Sequence, residues 1–215
     1  MSVWLILDTQ LRTRIKICGI KHLDDALKAV ECGADAIGLI FVEKSPRYAS
    51  LTEACLIAES LPPFVTVVGL FMDATAETVR ETLKAVPLNL LQFHGDEPPE
   101  FCDQFGMPYI KVLRMRENAN VVAFAQDYPN ATGILLDTYS KEGGGSGQTF
   151  DWNLIPEDMP LPVILAGGLN PENVASAIET VKPYAVDVSS GVESEPAVKD
   201  HKKIEQFIKE VQRVG

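Results

Sequence analysis

Cysteine and histidine are scarce in this chain of 215 residues, and they are scattered. Cys18, Cys32, Cys55 and Cys102 form no Cys-x-x-Cys pair, and the three histidines have no ligand-like spacing beside them. Neither a metal site nor a disulfide framework is expected from that pattern. Cations are short too: 19 Lys and Arg stand against 30 Asp and Glu, a formal charge of -11. Binding to nucleic acid or to an anionic membrane surface needs clustered cations, so neither partner is expected. The apolar run Val3 to Leu7 lacks a cationic flank and a small-residue cleavage site and is followed by Asp8, so the chain reads as soluble and cytoplasmic. The Gly-x-Gly-x-x-Gly fingerprint is also absent from the first turn, which is Cys18-Gly19-Ile20-Lys21.

Hydrophobic residues make up 46% of the chain, enough for one sizeable core, and the length suits a single large α/β domain. Eight strand-like runs end near Cys18, Phe41, Phe71, Phe93, Leu113, Asp137, Ala166 and Val188. Their spacing of roughly 20 to 30 residues fits one strand plus one crossover helix. Helical stripes appear at Leu23/Ala26/Leu27/Val30, Ala54/Ile57/Ala58/Leu61, Val174/Ala177/Ile178/Val181 and Ile204/Phe207/Ile208/Val211, with weaker signals after Phe93, Leu113 and Asp137. Gly33 sits where a helix ends, and Asn170-Pro171 reads as the start of one. The repeat predicts a single (βα)8 TIM barrel of eight parallel strands over residues 14–215. Residues 1–13 read as an N-terminal extension of unassigned order. A doubly wound open sheet is the alternative architecture. The glycine-rich stretch Gly143 to Gly147 reads as a loop over the barrel mouth; as an interdomain linker it would leave too short a remainder for a second core.

Strand side chains alternate between faces, and the outer face of a barrel packs on helices. Polar residues in strand register are therefore sorted to the inside: Lys16 and Cys18, Gln92 and His94, Asp137, then Asp187 and Ser189. Taken singly, a buried Cys18 is a small apolar filler, and His94 is a cap for the turn at Gly95 and Asp96. Asp137 is harder to explain structurally, because a carboxylate leaving water costs several kcal/mol unless paired. The corners Gly167-Gly168 and Ser189-Ser190-Gly191 follow strands seven and eight, where barrels bind phosphate through bare backbone N–H groups. Arg47, after strand two, carries a planar fork suited to a carboxylate; alone it would read as a solvated loop residue. Cys32, Cys55 and Cys102 fall in helical segments and read as packing.

Several strings together resemble phosphoribosylanthranilate isomerase: Lys16-Ile17-Cys18-Gly19-Ile20, Ser45-Pro46-Arg47, Leu91-Gln92-Phe93-His94-Gly95, Leu136-Asp137, Gly144-Gly145-Ser146-Gly147, Phe150-Asp151-Trp152, Ala166-Gly167-Gly168-Leu169 and Asp187 through Glu193. They run in order from about Arg14 to the C-terminus, with small departures at Ser146 and Gln148, where the family often has Thr and Lys. The resemblance implies an Amadori rearrangement in tryptophan biosynthesis, from N-(5′-phosphoribosyl)anthranilate to 1-(2-carboxyphenylamino)-1-deoxyribulose 5-phosphate. It implies Cys18 as general base and Asp137 as general acid. By position and resemblance together, Arg47 holds the anthranilate carboxylate, Gln92, His94 and Asp187 serve substrate binding, and Gly167, Gly168, Ser189, Ser190 and Gly191 hold the phosphate. No metal or organic cofactor is expected, because the substrate nitrogen serves as the electron sink. The partners expected are the phosphorylated small molecule and, at most, a second copy of the chain, giving a monomer or homodimer. The chemistry calls for an Asp137 that keeps its proton and a Cys18 that loses one easily, and Lys16, one inward step below the thiol, is the expected source of the second effect. Lys16 paired with Asp187 is the competing arrangement. Rival functions are another sugar-phosphate barrel enzyme, many of which use paired Asp residues, Glu, Lys or a metal in place of a Cys base, and a non-catalytic ligand-binding barrel, which has no reason to retain both Cys18 and Asp137.

Overall fold

The computed structural model describes residues 12–116, 118–139 and 149–214. Eight parallel strands close into a barrel in sequence order: β1 (Arg14–Cys18), β2 (Ala36–Ile40), β3 (Thr66–Phe71), β4 (Leu90–Phe93), β5 (Tyr109–Met115), β6 (Gly133–Thr138), β7 (Val163–Leu165) and β8 (Ala185–Val188). The strand ends agree with those expected from the apolar runs to within about two residues. The helices are α1 (Leu23–Cys32), α2 (Leu51–Ser60), α3 (Ala76–Ala85), α4 (Pro99–Asp103), α5 (Val121–Asp127), α6 (Val174–Val181) and α7 (His201–Val214). After β6 the described residues hold only a 3₁₀ turn, Trp152–Leu154, which accounts for the weak stripe there. A short antiparallel ribbon of β9 (Glu193–Glu195) and β10 (Val198–Lys199) leads into α7. The glycine stretch Gly143 to Gly147 and most of the N-terminal extension lie outside the described residues.

Local chemistry explains the boundaries. Ser50 and Glu53 form a reciprocal capping box on α2, and Gly33 ends α1 in the left-handed region at φ 110°, as capping rules require. Asn170 keeps its expected capping chemistry: its Oδ1 accepts from the backbone N–H groups of Glu172 and Asn173 and its carbonyl from that of Val174, across a first turn that leads into the regular helix at Val174. The α3 stripe escaped the sequence pattern because only Val79 and Thr82 on that helix are buried.

The outer face of the sheet meets the helices through Ile15, Ile17, Ile37, Leu39, Leu91, Phe93, Ile134, Leu136 and Val186, all buried. Inside the barrel, Ile110, Val112, Leu135, Ile164 and Ala185 form a separate apolar plug. One outward residue breaks the aliphatic rule: Lys111, on β5, is buried and donates to the carbonyl of Gly95 at 2.6 Å and to Glu97 at 2.9 Å. Glu97 in turn accepts from the backbone N–H of Asp73 at 2.8 Å, and its carbonyl takes the Tyr128 hydroxyl. This buried pair ties the segments after β3 and β4 to β5 and α5.

Removing one partner of such a pair leaves an uncompensated buried charge. Lys111→Met is expected to destabilise the fold by about 3–5 kcal/mol in urea unfolding, and adding Glu97→Gln to recover part of that loss.

Candidate active site

Cys18 closes β1 and is buried. Parallel register places it opposite Gly38 on β2 and places Lys16 opposite Asp187 on β8. A Cβ on Gly38 would lie 2.7 Å from the Cys18 sulfur and 3.1 Å from Lys16 Cε. The glycine is therefore a notch that seats the thiol beside the lysine stem. Lys16 donates to Asp187 Oδ1 at 2.8 Å with both side chains buried. The competing arrangement for Lys16 is thus the one formed. Burial works against the Lys16 charge, but Asp187 and Cys18 outweigh it and hold the ammonium charged.

For Cys18 the balance falls the other way. Burial pushes the thiol up, Lys16 pulls it down only in part, and Asp187 adds to the rise. The expected easy thiolate is thereby corrected. Lys16 favours it, but loss of water and the carboxylate behind Lys16 are stronger.

Asp137 stands near the end of β6, its Oδ1 accepting from the backbone N–H of Thr138 at 2.8 Å. His94 brings Nε2 to 3.3 Å from Asp137 Oδ2, without the alignment of a hydrogen bond. His94 Nδ1 lies 3.3 Å from Gln92 Nε2. Gln92 Oε1 and His94 Nε2 are buried with no hydrogen-bond partner among the described residues.

The corner after β7 turns through Gly167 and Gly168, both at positive φ, and a Cβ on Gly167 would strike the Thr138 backbone nitrogen at 2.4 Å. A Cβ on Gly191 would meet the Leu169 carbonyl oxygen at 1.9 Å, so the corner after β8 is pressed against the corner after β7. Arg47 is not solvated: its Nε and Nη2 donate to the two oxygens of Glu193, each at 2.7 Å. That contact strengthens the arginine's hold on its proton despite burial. Glu193 Oε1 also accepts from Lys199 at 2.9 Å, and Lys199 reaches the Ser189 carbonyl at 2.9 Å. Burial drives Glu193 towards its neutral form, yet its two cationic partners keep it ionised.

One cavity of about 360 Å³ collects these groups. Its lining includes Cys18, Arg47, Gln92, His94, Asp137 and Asp187, together with Gly167, Gly168, Ser189 and Ser190. Gly191, also expected at the phosphate site, is not part of that lining. A family model described as N-(5′phosphoribosyl)anthranilate (PRA) isomerase matches residues 15–210. The chain belongs to the phosphoribosylanthranilate isomerase family. An N-(5′-phosphoribosyl)anthranilate isomerase of Pseudomonas fluorescens (strain SBW25) is 56% identical over 200 residues, covering 92% of this chain and 95% of the relative. The phosphoribosylanthranilate isomerase structure from Thermotoga maritima superposes with a TM-score of 0.87 at 46% identity, covering 94% of this chain and 99% of that one. Another isomerase structure, in complex with reduced 1-(o-carboxyphenylamino)-1-deoxyribulose 5-phosphate, has a TM-score of 0.83 at 43% identity over 94% of this chain and 99% of that one.

Within this isomerase fold, sequence reasoning missed that Glu193 and Lys199 pair behind Arg47, outside the cavity lining. The signal available was a carboxylate two residues past the Ser-Ser-Gly corner, with a lysine at the next apolar stretch. Gly38 was missed because its role is an absence of side chain.

The thiol balance is testable through alkylation of Cys18 against pH, read on its own peptide by mass spectrometry. Lys16→Met should move the titration to higher pH, and Asp187→Asn should move it to lower pH, because the first removes a cation that repels the thiol proton and the second removes an anion that retains it. Shifts in the same direction would refute that balance.

Proposed function

We propose that Cys18 and Asp137 carry out the Amadori rearrangement of N-(5′-phosphoribosyl)anthranilate as general base and general acid. The supporting observation is that a thiol and a carboxyl from opposite walls open into one cavity bounded by the two glycine-bearing corners. Asp137 donates to the furanose oxygen as the ring opens to a Schiff base. Cys18 then removes the C2′ proton, the electrons flow towards the nitrogen, and the enolamine tautomerises to the ketone. A thiol raised by burial needs its ammonium neighbour at that moment: Lys16 stabilises the thiolate as it forms. In water-free surroundings such a fixed charge acts strongly.

The phosphate is held by the backbone N–H groups of Gly167, Gly168, Ser189, Ser190 and Gly191, and the three glycines let an anion approach closely. Arg47 receives the anthranilate carboxylate. Gln92 and His94 contribute the two buried polar atoms that a sugar hydroxyl would satisfy, and Asp187 acts mainly by anchoring Lys16. Among the described residues no helix is long and apolar enough to cross a membrane. A monomer or homodimer fits, a Thermotoga maritima relative being described as dimeric.

Cys18→Ser and Asp137→Asn are each expected to lower kcat on phosphoribosylanthranilate by about 10²–10⁴-fold with little change in KM. Full activity in both variants would overturn the assignment. Arg47→Ala should instead raise KM by about 10-fold or more, with kcat much less affected.

A further inference from the structure

Arg47 reaches its partner along the barrel rim, from the loop after β2 past β1 to the segment after β8. Its stem passes over Gly19, where a Cβ would lie 2.7 Å from Arg47 Cδ and 2.9 Å from Ser189 Oγ. Beyond that point one edge of the guanidinium, Nε and Nη2, is occupied bidentately by Glu193. A planar guanidinium with one edge clamped has no remaining rotational freedom. The hydrogens Glu193 leaves unused are those on Nη1 and the outer hydrogen of Nη2, a second two-pronged edge. Arg47 lines the cavity, so this is the edge available to a bound carboxylate.

A buried anion directly behind that edge would repel an incoming carboxylate. Lys199 answers this. It is itself buried, and it shares Glu193 Oε1 with Arg47 Nε. The cluster therefore sets two basic groups against one carboxylate: burial weakens the hold of Lys199 on its proton and Glu193 opposes that loss, while Arg47 keeps its charge at the edge left free. Lys203 adds a clamp on the main chain, donating to the Glu193 carbonyl at 2.7 Å.

We propose that Glu193 is the positioning residue for recognition of the substrate carboxylate: it fixes the plane of Arg47, while Lys199 cancels its repulsion. This rests on the reading of Arg47 as the carboxylate-binding residue. Glu193 touches no reacting atom, so its effect falls on discrimination and not on proton transfer.

The test compares two ligands by calorimetry: reduced 1-(o-carboxyphenylamino)-1-deoxyribulose 5-phosphate and its phenylamino counterpart lacking the carboxyl group. Their Kd ratio isolates the carboxylate contribution. Glu193→Gln places an amide N–H₂ against a guanidinium N–H₂. It is expected to shrink the ratio about tenfold, through weaker binding of the carboxylated ligand alone, while kcat stays within about twofold. Glu193→Asp keeps the anion beside Lys199 but is too short to span both arginine nitrogens. It should shrink the ratio in the same direction, and it serves where the Gln variant does not fold. If both ligands weaken equally, Glu193 merely supports the corner after β8, and the proposal fails. An unchanged ratio also overturns it. Arg47→Ala is run in parallel: a ratio unmoved there removes Arg47 from carboxylate binding and the proposal with it, whereas a ratio lost in Arg47→Ala but kept in the Glu193 variants defeats the positioning role alone.

Discussion

The ion pair between Lys16 and Asp187 is made across the seam where the last strand of the barrel meets the first. Either charge left alone in that interior would cost several kcal/mol, so the seam favours the register that puts the two residues opposite one another. Strand alternation sets Cys18 one inward step above that lysine, and the register of β1 with its other neighbour, β2, sets the thiol opposite Gly38. Lys16 thus links closure of the sheet to the thiol's surroundings. The pair also explains why Lys16 acts on Cys18 less strongly than an unpaired ammonium would: much of its field is spent on Asp187.

The interior is divided by height. Ile110, Val112, Leu135, Ile164 and Ala185 fill one part of the barrel with hydrocarbon, while the cavity end carries Cys18, Gln92, His94, Asp137 and Asp187. A dry floor under a polar rim strengthens every charge interaction above it. It also makes desolvation the leading influence on the cysteine, which is why the thiol is raised even with an ammonium in contact. The second ion-pair system, Arg47 with Glu193 and Lys199, obeys a different logic. It joins loops in place of strands, and its geometry is set by side-chain reach.

What could be read in the sequence follows from this contrast. Alternation along a strand is a property of the backbone, so Lys16 with Cys18, Gln92 with His94, and Asp137 and Asp187 could be assigned to the inner face without knowing their neighbours. The barrel itself followed from eight apolar runs at regular spacing. Glu193 is 146 residues from Arg47, and no local pattern encodes that contact. The direction of the Cys18 shift was misjudged for a related reason: a neighbour at i−2 is visible in the sequence, whereas the loss of water is a sum over everything the fold brings near.

The four cysteines are partitioned by the sheet. Cys32, Cys55 and Cys102 belong to the helical layer outside the wall, and Cys18 alone packs within it, against Ile40 and Leu70. A disulfide bridges backbones no more than about 7 Å apart, less than the thickness of a sheet with its covering helices. Oxidative cross-linking inside one molecule therefore has no route to Cys18. Any sulfenic acid formed there must be resolved by a thiol arriving through the cavity that Cys18 lines, so whatever fills that cavity shields the sulfur both from damage and from repair.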